Sequence, residues 1–292
     1  MQDCEILALS VCTYGNGPNE VKERAKDFGV EISNVKQYLA GPDDIDSCYV
    51  ADAGDSTILA FRGTSFDRKS LSKAILDWLN DLSAKPVSVT DIPGELHKGF
   101  SDSVSGLWKK NFHEDVQERL KKSKNLVITG YSKGGALAPI AAAFLDKKGQ
   151  MDVNLMKICI FEAPRPGNTE FKAYFNKTFP TAVRYEYQDD IVPHLPPAGK
   201  GWRLLSKIPE LGEILKKLEG IDKWDYKAVG NLKFVNWKDK ILQGIRAKLE
   251  WRCRLVHLEK LIVSTSDKMF LDHLPQEHLY PVLCGKEWPE GL

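Results

Sequence analysis

The sequence predicts an α/β fold, a mostly parallel central sheet with helices on both faces. Three observations carry that expectation. Short β-rich runs alternate with stretches of helical apolar spacing from about residue 48 to 187. One strand-like run, NLVITG at 125–130, passes into a helix rich in small residues with no loop between them. The chain's 292 residues, 42% of them hydrophobic, can bury one substantial core. The chain is therefore read as a single domain over 1–292, elaborated by a basic amphipathic insertion at about 198–270.

Cys48 to Gly54 and Ser56 to Gly63 are β-rich and separated only by Asp55, the pattern of a hairpin. Ser70 to Leu82 has apolar residues at 71, 75, 78, 79 and 82, and Ser101 to Leu120 has them at 104, 107, 108, 112, 116 and 120. Both spacings predict helices. A strand at Met156 to Phe161, a turn-rich stretch at 163–168, a helix at Thr169 to Asn176 and a strand at Ala182 to Tyr187 follow. Beyond Pro197 the composition changes. Between Lys200 and Arg254 there are 14 Lys and Arg against seven Asp and Glu, a surplus of seven positive charges. Within that region Leu204, Ile208, Leu211, Leu215 and Leu218 recur at steps of four and three, predicting an amphipathic helix with a basic opposite face.

Composition also excludes some functions. With 41 Lys and Arg against 40 Asp and Glu, the chain has no global field with which to hold nucleic acid. The six cysteines are scattered, without a CxxC or Cys/His cluster, which removes the zinc-ribbon and dithiol readings and predicts reduced, mostly buried thiols. Asp3 and Glu5 stand where a secretory signal wants positive charge, and no run approaches the roughly 20 apolar residues of a transmembrane helix. The expectation is a cytoplasmic protein, or one exported by a route that needs no signal peptide.

Gly130-Tyr131-Ser132-Lys133-Gly134 is a G-x-S-x-G motif. A serine on a sharp strand-to-helix turn has its hydroxyl lifted into the open, and the flanking glycines avoid collisions that side chains would cause there. The string alone is weak evidence for such an elbow. A strand immediately before it and a Gly- and Ala-rich helix immediately after make it specific.

In this context the chain resembles the class 3 lipases of the α/β-hydrolase superfamily. The likeness runs in family order through Phe61-Arg62-Gly63-Thr64, Asp77-Trp78-Leu79-Asn80-Asp81, His97-Lys98-Gly99-Phe100, the Ser132 elbow, Ala163-Pro164-Arg165-Pro166-Gly167-Asn168 and Asp189-Asp190-Ile191-Val192-Pro193-His194-Leu195-Pro196-Pro197. The resemblance implies an α/β-hydrolase fold with a helical cap or lid insertion. It also implies Ser132 as nucleophile, Asp190 as the acid of the triad and a histidine further along the chain, in the order these folds use. Of His194, His257, His273 and His278, the resemblance favours His273. Leu271-Asp272-His273-Leu274-Pro275 is similar to the family's Asp-His step, and Pro275 is placed to begin a helix. His278 is the alternative general base.

The oxyanion hole implied by the resemblance uses the backbone N–H groups of Lys133 and Thr64. Arg62, Asp81 and His97 are read as structural anchors. The mechanism requires no metal and no organic cofactor. Tyr131 and Lys133 depart from the His and Leu usual in the family at those positions, and the lysine's charge is expected to face solvent or an anionic substrate group. Two lid candidates stand out, Ser65 to Ile75 and the Leu204 to Leu218 helix, and the second is also a candidate for contact with an anionic lipid surface. The resulting expectation is a serine carboxyl-ester hydrolase, lipase, esterase or phospholipase, acting on lipid-like esters. The alternatives are an acyltransferase or thioesterase with the same triad, and an inactive lipase-like binding protein.

Overall fold

A computed structural model describes residues 1–64, 85–198, 202–207, 212–213, 220–264 and 268–291. Its strands, in chain order, are β1 (Ser33–Ala40), β2 (Asp46–Ala53), β3 (Ser56–Phe61), β4 (Pro86–Val89), β5 (Ile92–His97), β6 (Asn125–Tyr131), β7 (Met156–Phe161), β8 (Val183–Tyr187), β9 (Asn231–Val235) and β10 (Ile241–Gln243). β4 and β5 pair as a separate hairpin, and the others form one sheet in the order β1-β2-β3-β6-β7-β8-β9-β10. The pairings from β3 through β9 are parallel, whereas β1, β2 and β10 are added antiparallel at the edges. β2 and β3 form the hairpin expected from Cys48 to Gly63.

The longer described helices are α1 (Asp3–Cys12), α2 (Pro18–Asp27), α3 (Lys98–Trp108), α4 (Phe112–Leu120), α5 (Lys133–Lys147), α6 (Thr169–Thr178), α7 (Gly244–Val263) and α8 (Tyr280–Cys284). Strand alternation decides which face each packs against. Leu59, Phe61, Ile128 and Ile158 point to the core shared with α3, α4, α5 and α6. Ile58, Ala60, Val127 and Cys159 point the other way, onto α1, α2 and the start of α8. Because both faces are covered, the central strands are apolar throughout rather than alternating. The helix expected over Ser101 to Leu120 is two helices. Asn111 between them adopts φ 63°, a left-handed conformation that asparagine tolerates and that an uninterrupted helix does not allow.

β9 joins the chain beyond residue 198 to the parallel sheet by pairing with β8. α7 is then fastened to that strand by Arg254, whose side chain is fully buried. Its guanidinium donates to Glu186 at 2.9 Å, to the Tyr187 carbonyl at 3.0 Å and to the Gln188 carbonyl. The helix predicted at Ser70 to Leu82, the Asp77–Asp81 element, the Ser65 to Ile75 lid candidate and most of the Leu204 to Leu218 helix lie outside the described residues.

The expectation of reduced thiols needs correction. Cys4 on α1 and Cys284 at the end of α8 form a disulfide, although 280 residues separate them. Both helices pack on the same sheet face, which brings their Cα atoms to 5.1 Å. Scatter along the chain concealed that proximity. Cys12, Cys48 and Cys159 remain free and buried. No helix among the described residues is long and apolar enough to cross a membrane.

Candidate active site

Ser132 sits where β6 ends and α5 begins, with φ 56° and ψ −127°. A non-glycine residue in that region stores strain, which close packing must hold in place. The packing here is backbone on backbone. A Cβ on Gly130 would strike Gly134, and a Cβ on Gly134 would strike the Phe61 carbonyl of the neighbouring strand. Glycines at both positions let α5 start directly against the sheet, and the Ser132 amide donates to the Phe161 carbonyl at 3.0 Å.

Asp190 follows β8, and His273 follows a helical turn at Lys268–Leu271, in the loop before the turn that Pro275 begins. The structure brings them to the serine in one line. His273 Nε2 lies 2.8 Å from Ser132 Oγ, and His273 Nδ1 lies 2.7 Å from Asp190 Oδ2. All three side chains are buried, and Asp190 is fully enclosed. The other Asp190 oxygen accepts the Val192 amide at 2.8 Å. Burial alone would raise the Asp190 carboxyl. The His273 beside it, contact with Glu162 and the Val192 N–H together hold it below the usual carboxylate range. With Nδ1–H directed at a carboxylate, Nε2 is left to accept a proton from Oγ, so the arrangement can activate a serine as a nucleophile.

The remaining histidines are engaged elsewhere. His278 lies within Pro275–Leu279 and stacks on Tyr187 at 5.1 Å. His194 is buried, stacked on Trp251 at 5.2 Å and 3.5 Å from the Arg254 guanidinium. His257 stacks on Trp237 at 4.1 Å. His97 is buried, takes the Phe100 amide at the start of α3 and stacks on that ring at 4.1 Å, an anchoring role. Arg62 likewise donates to the carbonyls of Asp44 and Ile45. Asp189, beside Asp190, turns away to Trp237 Nε1 at 2.9 Å and Lys268 at 3.2 Å.

Lys133 begins α5, and Thr64 follows β3 and Gly63. Thr64 lines a cavity of about 460 Å³ together with Tyr131, His273, Leu274 and Trp288. The side chain of Lys133 faces neither solvent nor the cavity, contrary to both expectations for it. It pairs with Asp46 at 2.7 Å, and both side chains are largely buried. Three contacts around the line had no sequence signal. Tyr131 Oη donates to the His273 carbonyl at 2.7 Å. The Asp272 carboxylate accepts the Asp189 amide at 3.0 Å, joining the aspartate and histidine loops. The buried carboxyl of Glu162 lies against Asp190 and His273.

The family described as lipase (class 3) matches residues 58–200. The chain is 33% identical over 156 residues to a lipase of Rhizomucor miehei, covering 52% of this chain and 40% of that protein. It is 38% identical over 205 residues to secreted mono- and diacylglycerol lipase 1 of Fusarium solani, covering 66% of this chain and 53% of that one. The chain thus spans about half, or less, of the length of these curated relatives. Among solved structures, a lipase from Rhizopus microsporus var. chinensis superposes with a TM-score of 0.60 at 18% identity, over 93% of this chain and 84% of that one. A triacylglycerol lipase described by its serine protease triad gives 0.59 at 23% identity, over 80% and 78%. These show the fold, an α/β-hydrolase sheet. The expectation of a cytoplasmic protein is overturned by the secreted relative, and Cys4–Cys284 is a bond of the kind that persists in oxidising surroundings. Over residues 58–200, the stretch that holds the serine elbow, the aspartate loop and the strands between them, the chain matches the class 3 lipase family.

Proposed function

We propose that the protein is a serine carboxyl-ester hydrolase acting on lipid-like esters in an oxidising compartment. The observation that carries this reading is the unbroken hydrogen-bonded line from Ser132 through His273 to Asp190. His273 takes the proton of Oγ as that oxygen attacks the ester carbonyl, and Asp190 stabilises the imidazolium that results. The N–H groups of Lys133 and Thr64 receive the charge that develops on the carbonyl oxygen, a contribution of roughly 3 kcal/mol for each well-placed donor. His273 then returns the proton to the departing alcohol, and water hydrolyses the acyl-enzyme. The cavity beside Thr64 and His273 is large enough for part of an acyl or alcohol chain. The domain reading remains one hydrolase unit with the insertion at about 198–270 built onto its sheet.

The test is hydrolysis of emulsified triacylglycerol, diacylglycerol, monoacylglycerol and phosphatidylcholine by the purified chain, with Ser132→Ala alongside. Release of fatty acid from at least one of these by the wild type, lost in the variant, is the expected result. No hydrolysis of any ester by the wild type would remove the proposal.

A further inference from the structure

Glu162 is the residue after β7, set between the strand ends that carry Ser132 and Asp190. Its amide donates to the Tyr185 carbonyl of β8 at 3.0 Å, while the preceding carbonyl accepts the Ser132 amide. It adopts φ 47°, so a bulky side chain is held in left-handed backbone that L-residues avoid. The residue is fully buried, and among the described residues neither carboxyl oxygen receives a donor. A Glu162 oxygen, an Asp190 oxygen and a His273 nitrogen all lie within 4.8 Å of one another. A buried acid, in strained backbone and without a donor, is costly to retain at a site unless it contributes there.

Ionised carboxylates only accept hydrogen bonds, so two of them in contact in a buried site require a shared proton. The neighbours decide where it resides. Asp190 already receives a donor on each oxygen, from His273 and from Val192. Glu162 receives none. Among the described residues, the charged and titratable groups around it are Asp190 and His273 from the site loops, Glu186 and Tyr187 from β8, Tyr131 from β6 and Arg254 from α7. Arg254 is the cation among them, and its donors are committed to Glu186 and to two backbone carbonyls. Burial first, and then the charge of Asp190, push the Glu162 carboxyl well above the ordinary range.

We propose that Glu162 is a positioning residue whose protonated carboxyl donates a hydrogen bond to Asp190, so that a neutral acid stands behind the acid of the triad and holds it toward His273. The proposal rests on the serine-hydrolase reading. A carboxylate that accepts a third donor is held in one rotamer and made less basic, which limits how tightly it holds the imidazole proton.

The experiment uses the whole chain as wild type, Ser132→Ala, Glu162→Gln and Glu162→Leu. It measures fluorophosphonate labelling, kcat and KM on a soluble p-nitrophenyl ester across pH, and the infrared band of a protonated carboxyl at neutral pH. The Gln amide can still donate to Asp190, and Leu cannot. Glu162→Gln is expected to keep kcat within about threefold with the acidic limb of kcat/KM unmoved, whereas Glu162→Leu loses about tenfold or more in kcat at unchanged KM. The acidic limb of Glu162→Leu moves to higher pH by about half a unit or more, because Asp190 without its donor holds the imidazole proton more tightly. The protonated-carboxyl band is present in the wild type and absent from Glu162→Gln, a readout that does not depend on Glu162→Leu folding. Absence of that band from the wild type, a Glu162→Leu variant with wild-type kcat and pH profile, or a Glu162→Gln variant as impaired as Glu162→Leu would each overturn the proposal. Wild type that labels while the Glu162 variants behave alike removes this inference only, whereas wild type that does not label removes the hydrolase reading with it.

Discussion

Ser132 and the Asp190–His273 pair occupy the same small volume by different means. The serine is held by its immediate chain neighbours, with Gly130 and Gly134 only two residues to either side and no side-chain partner needed to form the turn. Asp190 and His273 lie 83 residues apart, on loops whose shape depends on long-range polar contacts. Arg254 binds the carbonyls of Tyr187 and Gln188 just ahead of Asp190, Asp272 reaches back to the Asp189 amide, and Tyr131 crosses to the His273 carbonyl. One half of the site is therefore steric and local, and the other is polar and distributed. The first should fail abruptly on one methyl group, and the second by degrees as individual contacts are removed.

The largest effect is expected from Gly134→Ala, whose Cβ would collide with the Phe61 carbonyl. Something in the elbow must move, so fluorophosphonate labelling should fall by about a hundredfold or more even where the protein stays folded. Labelling at the wild-type rate would show that the elbow is not held by close packing. Arg254→Met comes next. It removes one of the two arginines paired with buried Glu186, Arg184 remaining at 2.7 Å, and takes the guanidinium donors from the Tyr187 and Gln188 carbonyls, which together cost about 3 kcal/mol. Thermal unfolding should shift down by roughly 10 °C, and Arg254→Met with Glu186→Gln, in which the amide oxygen can still accept from Arg184, should recover part of that loss. A double variant no better than the single would mean that the carbonyl contacts, not the ion pair, matter. The smallest effect belongs to Tyr131→Phe, which removes one hydrogen bond to the His273 loop, worth about 1 kcal/mol. A few-fold fall in kcat with KM unchanged is expected, and a changed KM with kcat intact would place Tyr131 in substrate binding instead.

The same division explains what could be read from the sequence. Ser132 announces itself because the turn that presents it is written in five consecutive residues between a strand and a helix. Asp190 and His273 are legible only through a family likeness and the order of the chain, since neither has a pattern that its immediate neighbours alone explain. The parallel sheet was legible because alternating strands and helices need no knowledge of distant partners. The break at Asn111 leaves no mark in the sequence pattern because the apolar spacing continues across it while the helical backbone does not. Glu162, the Arg254–Glu186 pair and Cys4–Cys284 were invisible, since each depends on residues that meet only after folding.

The basic surplus between Lys200 and Arg254 takes on a different meaning as well. Arg254 answers Glu186 of β8, and Lys233 answers Asp3 of α1 at 2.7 Å, so part of that charge neutralises acids of the fold rather than awaiting a partner. α7 is in this respect a brace for the aspartate loop, with a buried cation as its fastening.

His273, and not His278, is the base proposed to activate Ser132. Rates of fluorophosphonate labelling for the wild type, His273→Ala and His278→Ala test it most directly. Labelling is expected to fall by about a hundredfold or more in His273→Ala and to stay close to the wild-type rate in His278→Ala. Retained labelling in His273→Ala, or loss confined to His278→Ala, would contradict it.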